Sequence, residues 1–75
     1  MNSSVIRNFA TKVQQIRLAK KLTKGKVAEL AGLDISYIGK IERNEKIPNL
    51  RTIVKLADAL EVQVKELFDF QGRSL

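Results

Sequence analysis

Ser36, Gly39, Lys40 and Arg43 are spaced by three, one and three residues, which gathers them on one face of a helix. Ile35 falls at the edge of that arc, while Tyr37, Ile38 and Ile41 fall on the opposite one. The first arc is small and polar near its start and basic toward its end. The second is apolar and must turn inward. A helix with such an outer face can enter a groove about 12 Å wide and bring its first turns to base edges.

The composition narrows the alternatives. The chain has 75 residues, 44% of them hydrophobic, with one proline, no cysteine and no histidine. One small domain is expected, spanning 1–75, with a core over about 5–68 and a frayed tail over 69–75. Disulfides are excluded and the usual zinc ligand sets are missing. No metal or other cofactor is expected. The net charge is +6, from 14 Lys and Arg against 8 Asp and Glu. Residues 17–55 hold ten of the cations and four of the acids, whereas residues 56–75 hold two cations and four acids. A basic centre beside a mildly acidic end suggests one surface for a polyanion and another kept away from it, although solvated helix faces explain the same excess. Neither a signal peptide nor an apolar run of membrane-spanning length is visible, so a cytoplasmic location with no membrane partner is expected.

The elements that must position the polar face follow from period and punctuation. Phe9, Val13 and Ile16 recur at helical spacing in a first helix over about 5–21, with Ser3 or Ser4 as candidate caps. Thr23 caps a second helix, Lys24 to Ala31, with Val27, Ala28, Leu30 and Ala31 as its buried side. Gly32 sits where a residue of positive φ ends a helix, and Asp34 caps a third helix from Ile35 to Arg43. Only Gly32 and Leu33 separate the two, so they must cross steeply. After a polar connector, Asn49 caps a fourth helix from Leu50 to Leu60, with Leu50, Ile53, Val54, Leu56, Ala57 and Leu60 facing inward. A short fifth helix is expected over Val64 to Phe68. The expected fold is all-α.

Residues 22–60 resemble the helix-turn-helix family of the phage lambda repressor and Cro. The resemblance is carried by Leu22-Thr23-Lys24, Val27-Ala28, Ala31-Gly32, the run Ser36-Tyr37-Ile38-Gly39-Lys40-Ile41-Glu42-Arg43-Asn44, Pro48, and Leu56-Ala57-Asp58-Ala59-Leu60. It implies a five-helix, lambda-repressor-like DNA-binding domain with the helix-turn-helix at helices two and three. The Glu42-Arg43-Asn44 ending and the small size also resemble the controller proteins of restriction–modification systems.

The resemblance assigns roles. It implies an ion pair between Arg17 and Glu42 that locks the reading helix to the frame. It places Ile35, Ser36, Gly39 and Lys40 at base-reading positions: Lys40 can donate to guanine O6 or N7, Ser36 to several acceptors, and Ile35 can press on a thymine methyl. Lys40 is the only long donor among them, so direct readout should be sparse and part of the specificity should come from DNA shape. Gly39 replaces a small polar residue of the family, either to let the backbone approach DNA or by drift. Thr23, Lys24, Tyr37, Arg43, Asn44, Lys46 and Asn49 map to phosphate-contacting positions, with half-burial the alternative for Tyr37. Lys24 stands where the family has an orienting glutamine. Glu61 stands where the family often has glycine, which suggests a different cap geometry. Family members typically read two half-sites as dimers. Val64, Leu67, Phe68 and Phe70 are the candidate homodimer surface, with Phe70 the better contact and Phe68 a candidate for the core.

The expected function is a sequence-specific regulator of transcription, a repressor, an activator or both, whose partner is double-stranded DNA in the major groove. The alternative is a protein-interaction module such as an antitoxin or anti-repressor. An enzyme is not expected, because no glycine-rich phosphate loop or pocketed carboxylate pair accompanies the missing His and Cys. A small-molecule ligand is not expected either. An RNA-binding module would need an aromatic platform that the sequence lacks.

Overall fold

The structure is a computed structural model that describes residues 3–70. Four α-helices follow one another: α1 over Ser3–Ala19, α2 over Lys24–Ala31, α3 over Ile35–Glu42 and α4 over Leu50–Leu60. A 3-10 turn over Val64–Phe68 comes last, and there is no strand among the described residues. That segment lies where a fifth helix was expected, but as a single 3-10 turn. The two serines expected to cap the first helix are themselves its first residues, since α1 starts at Ser3. Most of the expected C-terminal tail, residues 71–75, falls outside the described residues.

Each helix start after α1 is capped by the side chain expected to do so. Thr23 Oγ1 accepts from the Lys26 amide at 3.0 Å, Asp34 Oδ1 from the Ser36 amide at 2.8 Å, and Asn49 Oδ1 from the Thr52 amide at 2.9 Å. The helix ends share one device. Lys21, Gly32, Asn44 and Glu61 all adopt left-handed backbone, with φ of 60°, 69°, 62° and 59°. At each, the next amide reaches back across the last turn: Leu22 to Arg17 O, Leu33 to Ala28 O, Glu45 to Lys40 O and Val62 to Ala57 O. This is the Schellman closure, and only one of its four instances uses glycine. Glu61 therefore keeps the geometry a glycine would give, and the different cap expected there does not occur.

A non-glycine residue in left-handed backbone costs roughly 1–2 kcal/mol per residue. Glu61→Gly should therefore stabilise the domain by about 1 kcal/mol, less the entropy that glycine adds to the unfolded chain. Urea denaturation followed by circular dichroism measures it; a loss of stability would show that Glu61 makes contacts that outweigh its backbone strain.

The closures also aim the chain at the core. Leu22, Leu33 and Val62, each just past a left-handed residue, fold down against the buried cluster of Phe9, Val13, Val27, Ile38, Ile41, Leu56, Leu60 and Leu67. Around this cluster α2 packs on α3 and α4, and α1 packs on α3 and the 3-10 turn. Three residues expected to face inward do not: Leu30, Leu50 and Val54 are exposed. On α2 the inward stripe is taken by Val27, Ala28 and Ala31, and on α4 by Thr52, Leu56, Ala57, Ala59 and Leu60. No helix among the described residues is long and apolar enough to cross a membrane.

Candidate nucleic-acid interface

The surface of interest starts with the turn between α2 and α3. Gly32 reverses the chain, and Asp34 begins α3 by accepting both the amide and the hydroxyl proton of Ser36, each at 2.8 Å. The Ser36 amide, then its hydroxyl, hold the Asp34 carboxyl below the ordinary carboxylate range, and the Lys40 charge adds to this. With its proton given to Asp34, the Ser36 hydroxyl presents acceptor lone pairs to the outside. It therefore suits an amino group of adenine or cytosine better than the acceptors expected for it.

The far end of α3 is braced from behind. Arg17 Nε and Nη2 donate to the Glu42 carboxylate at 2.7 and 3.0 Å, and Arg17 Nη1 donates to the Leu22 carbonyl at 2.9 Å. Both side chains are nearly sealed from water, at 8% and 2% exposure. One guanidinium thus joins the end of α1, the turn before α2 and the last residue of α3. No buried side-chain nitrogen or oxygen among the described residues lacks a partner.

Braced in this way, α3 turns Ile38 and Ile41 into the core and leaves Ile35, Ser36 and Lys40 in solvent. Gly39, expected beside them, is covered. The guanidinium of Arg43 lies across it, and a Cβ built on Gly39 would meet Arg43 Nη1 at 2.9 Å. Arg43 is held there by Glu45, with Nε to Oε2 at 2.9 Å and Nη2 to Oε1 at 3.2 Å. The hydrogen-bonded Arg43 side chain holds the Glu45 carboxyl below its usual range, and Glu45 raises the guanidinium in turn. Neither residue is buried, so the pair guides geometry more than it adds stability.

Of the positions expected to meet phosphate, Thr23, Asn44, Lys46 and Asn49 are exposed, while Lys24 and Tyr37 are half-buried. Tyr37 packs against the core cluster, the alternative left open for it. The Thr23 hydroxyl oxygen and the Asn49 carbonyl oxygen are already engaged as helix caps.

The expected dimer set is largely used within the chain itself. Leu67 is fully buried and cannot reach a partner, because it closes the core beneath α1 and α4. Phe68 stacks on Phe9 at 5.1 Å, Phe70 meets Phe68 edge-on at 6.2 Å, and Val64 is half-buried. Large apolar side chains are left open elsewhere, with Ile47 68% exposed, Leu50 70% and Val54 42% from the connector into α4, and Leu18, Leu30 and Ile35 exposed on the other helices. Ile47 and Pro48 also line an apolar cleft with Val5, Ile6 and Phe68. Ile47, an isolated aliphatic in a polar connector, was the signal in the sequence for this surface.

Residues 13–67, from the middle of α1 through nearly all of the 3-10 turn, match the model of the helix-turn-helix family. The chain belongs to the helix-turn-helix family. It is 38% identical over 64 residues to the control protein C.SmaI of Serratia marcescens, covering 85% of this chain and 76% of that protein. Among solved structures, it resembles the restriction–modification controller protein C.AhdI of Aeromonas hydrophila. There the TM-score is 0.82 at 37% identity, over 89% of this chain and all of that one. It also resembles the protein C.Esp1396I bound to a 25 base pair operator site, with a TM-score of 0.82 at 28% identity over 91% and 90% of the two chains. The helix-turn-helix assignment thus rests on sequence and backbone alike, and the two controller-protein structures share the fold over 90% or more of their length.

Proposed function

We propose that this helix-turn-helix protein is a sequence-specific regulator of transcription that binds operator DNA, with α2 and α3 as the helix-turn-helix and α3 in the major groove. The observation that carries this reading is the exposed polar and basic face of α3, held rigid from behind by Arg17 and Glu42. The likeness to an operator-bound relative supports it. Ile35, Ser36 and Lys40 face base edges, and Thr23, Lys24, Tyr37, Asn44, Lys46 and Asn49 face the phosphates on either side. Arg43 stands between these groups, over Gly39. Residues 1–75 act as one DNA-binding domain of the restriction–modification controller type. No observation favours a protein-interaction module.

One such domain covers too little DNA for high specificity, so a symmetric dimer on two half-sites is part of the proposal. Its surface is the apolar patch of Ile47, Leu50 and Val54, continued by Phe68 and the neighbouring Phe70 and Val64. Leu67 supports it only from the core.

Selection of bound duplexes from a random pool tests the function, since a palindromic consensus with half-sites about one turn apart is the expected result. Recovery of no consensus would overturn it. Against the selected site, Lys40→Ala should relax base preference by about 1–3 kcal/mol at one position, with little change in binding to random duplex. Lys24→Ala should weaken both alike and lower the slope of log affinity against log salt by about one. Fluorescence anisotropy at several salt concentrations separates the two, and equal losses on both duplexes in both variants would refute the division of roles.

A further inference from the structure

Gly39 lies in the middle of α3, where glycine weakens a helix, and the space its side chain would fill is occupied by the guanidinium of a residue four positions on. Side chains on a helix lean toward its N-terminus, so Arg43 reaches back one turn from the helix end to the middle of the exposed face. There it shares the exposed side of α3 with Ser36 and Lys40. The Schellman closure at Asn44 brings Glu45 around to meet it, with the Glu45 amide on Lys40 O at 2.7 Å. At the other three closures the corresponding residue is Leu22, Leu33 or Val62, each packed on the core. Only after α3 is that position a carboxylate, and it grips an arginine.

Glu45 occupies the Nε and Nη2 edge of the guanidinium. A guanidinium has a second edge, between Nη1 and Nη2, with the donor spacing that matches O6 and N7 of guanine. We propose that Arg43 is a specificity-determining residue that reads a guanine through this edge from its seat over Gly39, with Glu45 as the positioning residue. The proposal rests on the DNA-reading function above, and it reassigns Arg43 from phosphate contact to base contact. Gly39 serves it by absence: a methyl there would push the Nη1 end away, and that end belongs to a flexible side chain, so the helix itself accommodates the change.

The test compares the full chain with Arg43→Lys, Gly39→Ala, the double variant and Glu45→Gln on a selected duplex and on random duplex. Arg43→Lys keeps the charge and loses the fork, so the ratio of the two affinities should fall about 5- to 150-fold with binding to random duplex unchanged. Gly39→Ala should lower the same ratio in a protein that melts no lower than the original. In the Arg43→Lys background it should add little, because both changes remove one contact. Glu45→Gln should tighten binding to random duplex and lower the ratio. Replacing the contacted guanine with 7-deazaguanine should weaken the original protein and leave Arg43→Lys unaffected. Equal loss on both duplexes for Arg43→Lys would make Arg43 a phosphate contact and overturn the proposal. So would additive effects of Gly39→Ala, which would mean that the glycine admits the DNA backbone, or a higher ratio for Glu45→Gln, which would make Glu45 a competitor for Arg43. A chain with no preference between the duplexes before any substitution would refute the DNA-reading function itself, an outcome separate from all of these.

Discussion

Glu42→Gln should bring the domain close to unfolding, although it removes only one charge. The Arg17 guanidinium is seated among the end of α1, the Leu22 carbonyl and Glu42, with almost no access to water. Neutralising the carboxylate leaves that cation buried and only partly bonded, a change that costs about 3–5 kcal/mol when a sealed pair is broken from one side. A 75-residue chain has about 4–11 kcal/mol of stability in total, at roughly 0.05–0.15 kcal/mol per residue. The melting temperature should therefore fall by at least about 12 °C, since 1 kcal/mol shifts a domain of this size by roughly 4–8 °C. Arg17→Met combined with Glu42→Leu should cost less than either single change, because no unpaired charge then remains inside. Calorimetry on the three variants decides the matter. Single and double changes with equal and small effects would mean that the pair contributes nothing beyond surface electrostatics. The pair also fixes where α3 points, so the double variant should keep its fold but bind a selected duplex more weakly.

That pair was legible in the sequence because the resemblance supplied the partner, 25 residues away, that no local rule could find. The helix starts were legible for a different reason. Thr23, Asp34 and Asn49 act on amides two or three residues on, and such interactions need no knowledge of the fold. The helix ends were only partly legible. Gly32 announced itself, whereas Lys21, Asn44 and Glu61 adopt the same backbone without the residue that favours it. At Lys21 and Glu61 the core decides, by pulling Leu22 and Val62 inward, and local propensity yields. Exposure was least legible. Leu30, Leu50 and Val54 fit an apolar stripe by type and spacing, but each helix has only one inward arc, and smaller residues beside them occupy it. The exposed face of α3 was expected to be sparse in base donors because the resemblance placed Arg43 among the phosphate-contacting residues. Its guanidinium lies one turn back, a displacement that depends on both the missing Gly39 side chain and the position of Glu45.

Leu50→Glu with Val54→Glu should make the protein monomeric and reduce its affinity for a duplex with two half-sites by about 100-fold or more. The two side chains follow one another by a turn on the open side of α4, and they are exposed in the single chain, as is Ile47 in the connector before it. A glutamate at either place therefore disturbs no core packing, and the variant should melt near the temperature of the original monomer. Two carboxylates facing their symmetry mates would oppose association directly. The DNA affinity follows from linkage. Binding of the second half-site is intramolecular in a dimer, and losing that connection removes a gain of about 10²–10⁴ with no change in any base contact. Affinity for a single half-site should therefore stay as it was. Analytical ultracentrifugation and titration of both duplexes supply the measurements, with Phe70→Glu as the counter-test. A variant that remains dimeric, while Phe70→Glu dissociates, would move the interface to the C-terminal aromatic residues. Phe70 already has Phe68 to pack against, and Phe68 has Phe9, whereas Leu50 and Val54 are left exposed at 70% and 42%.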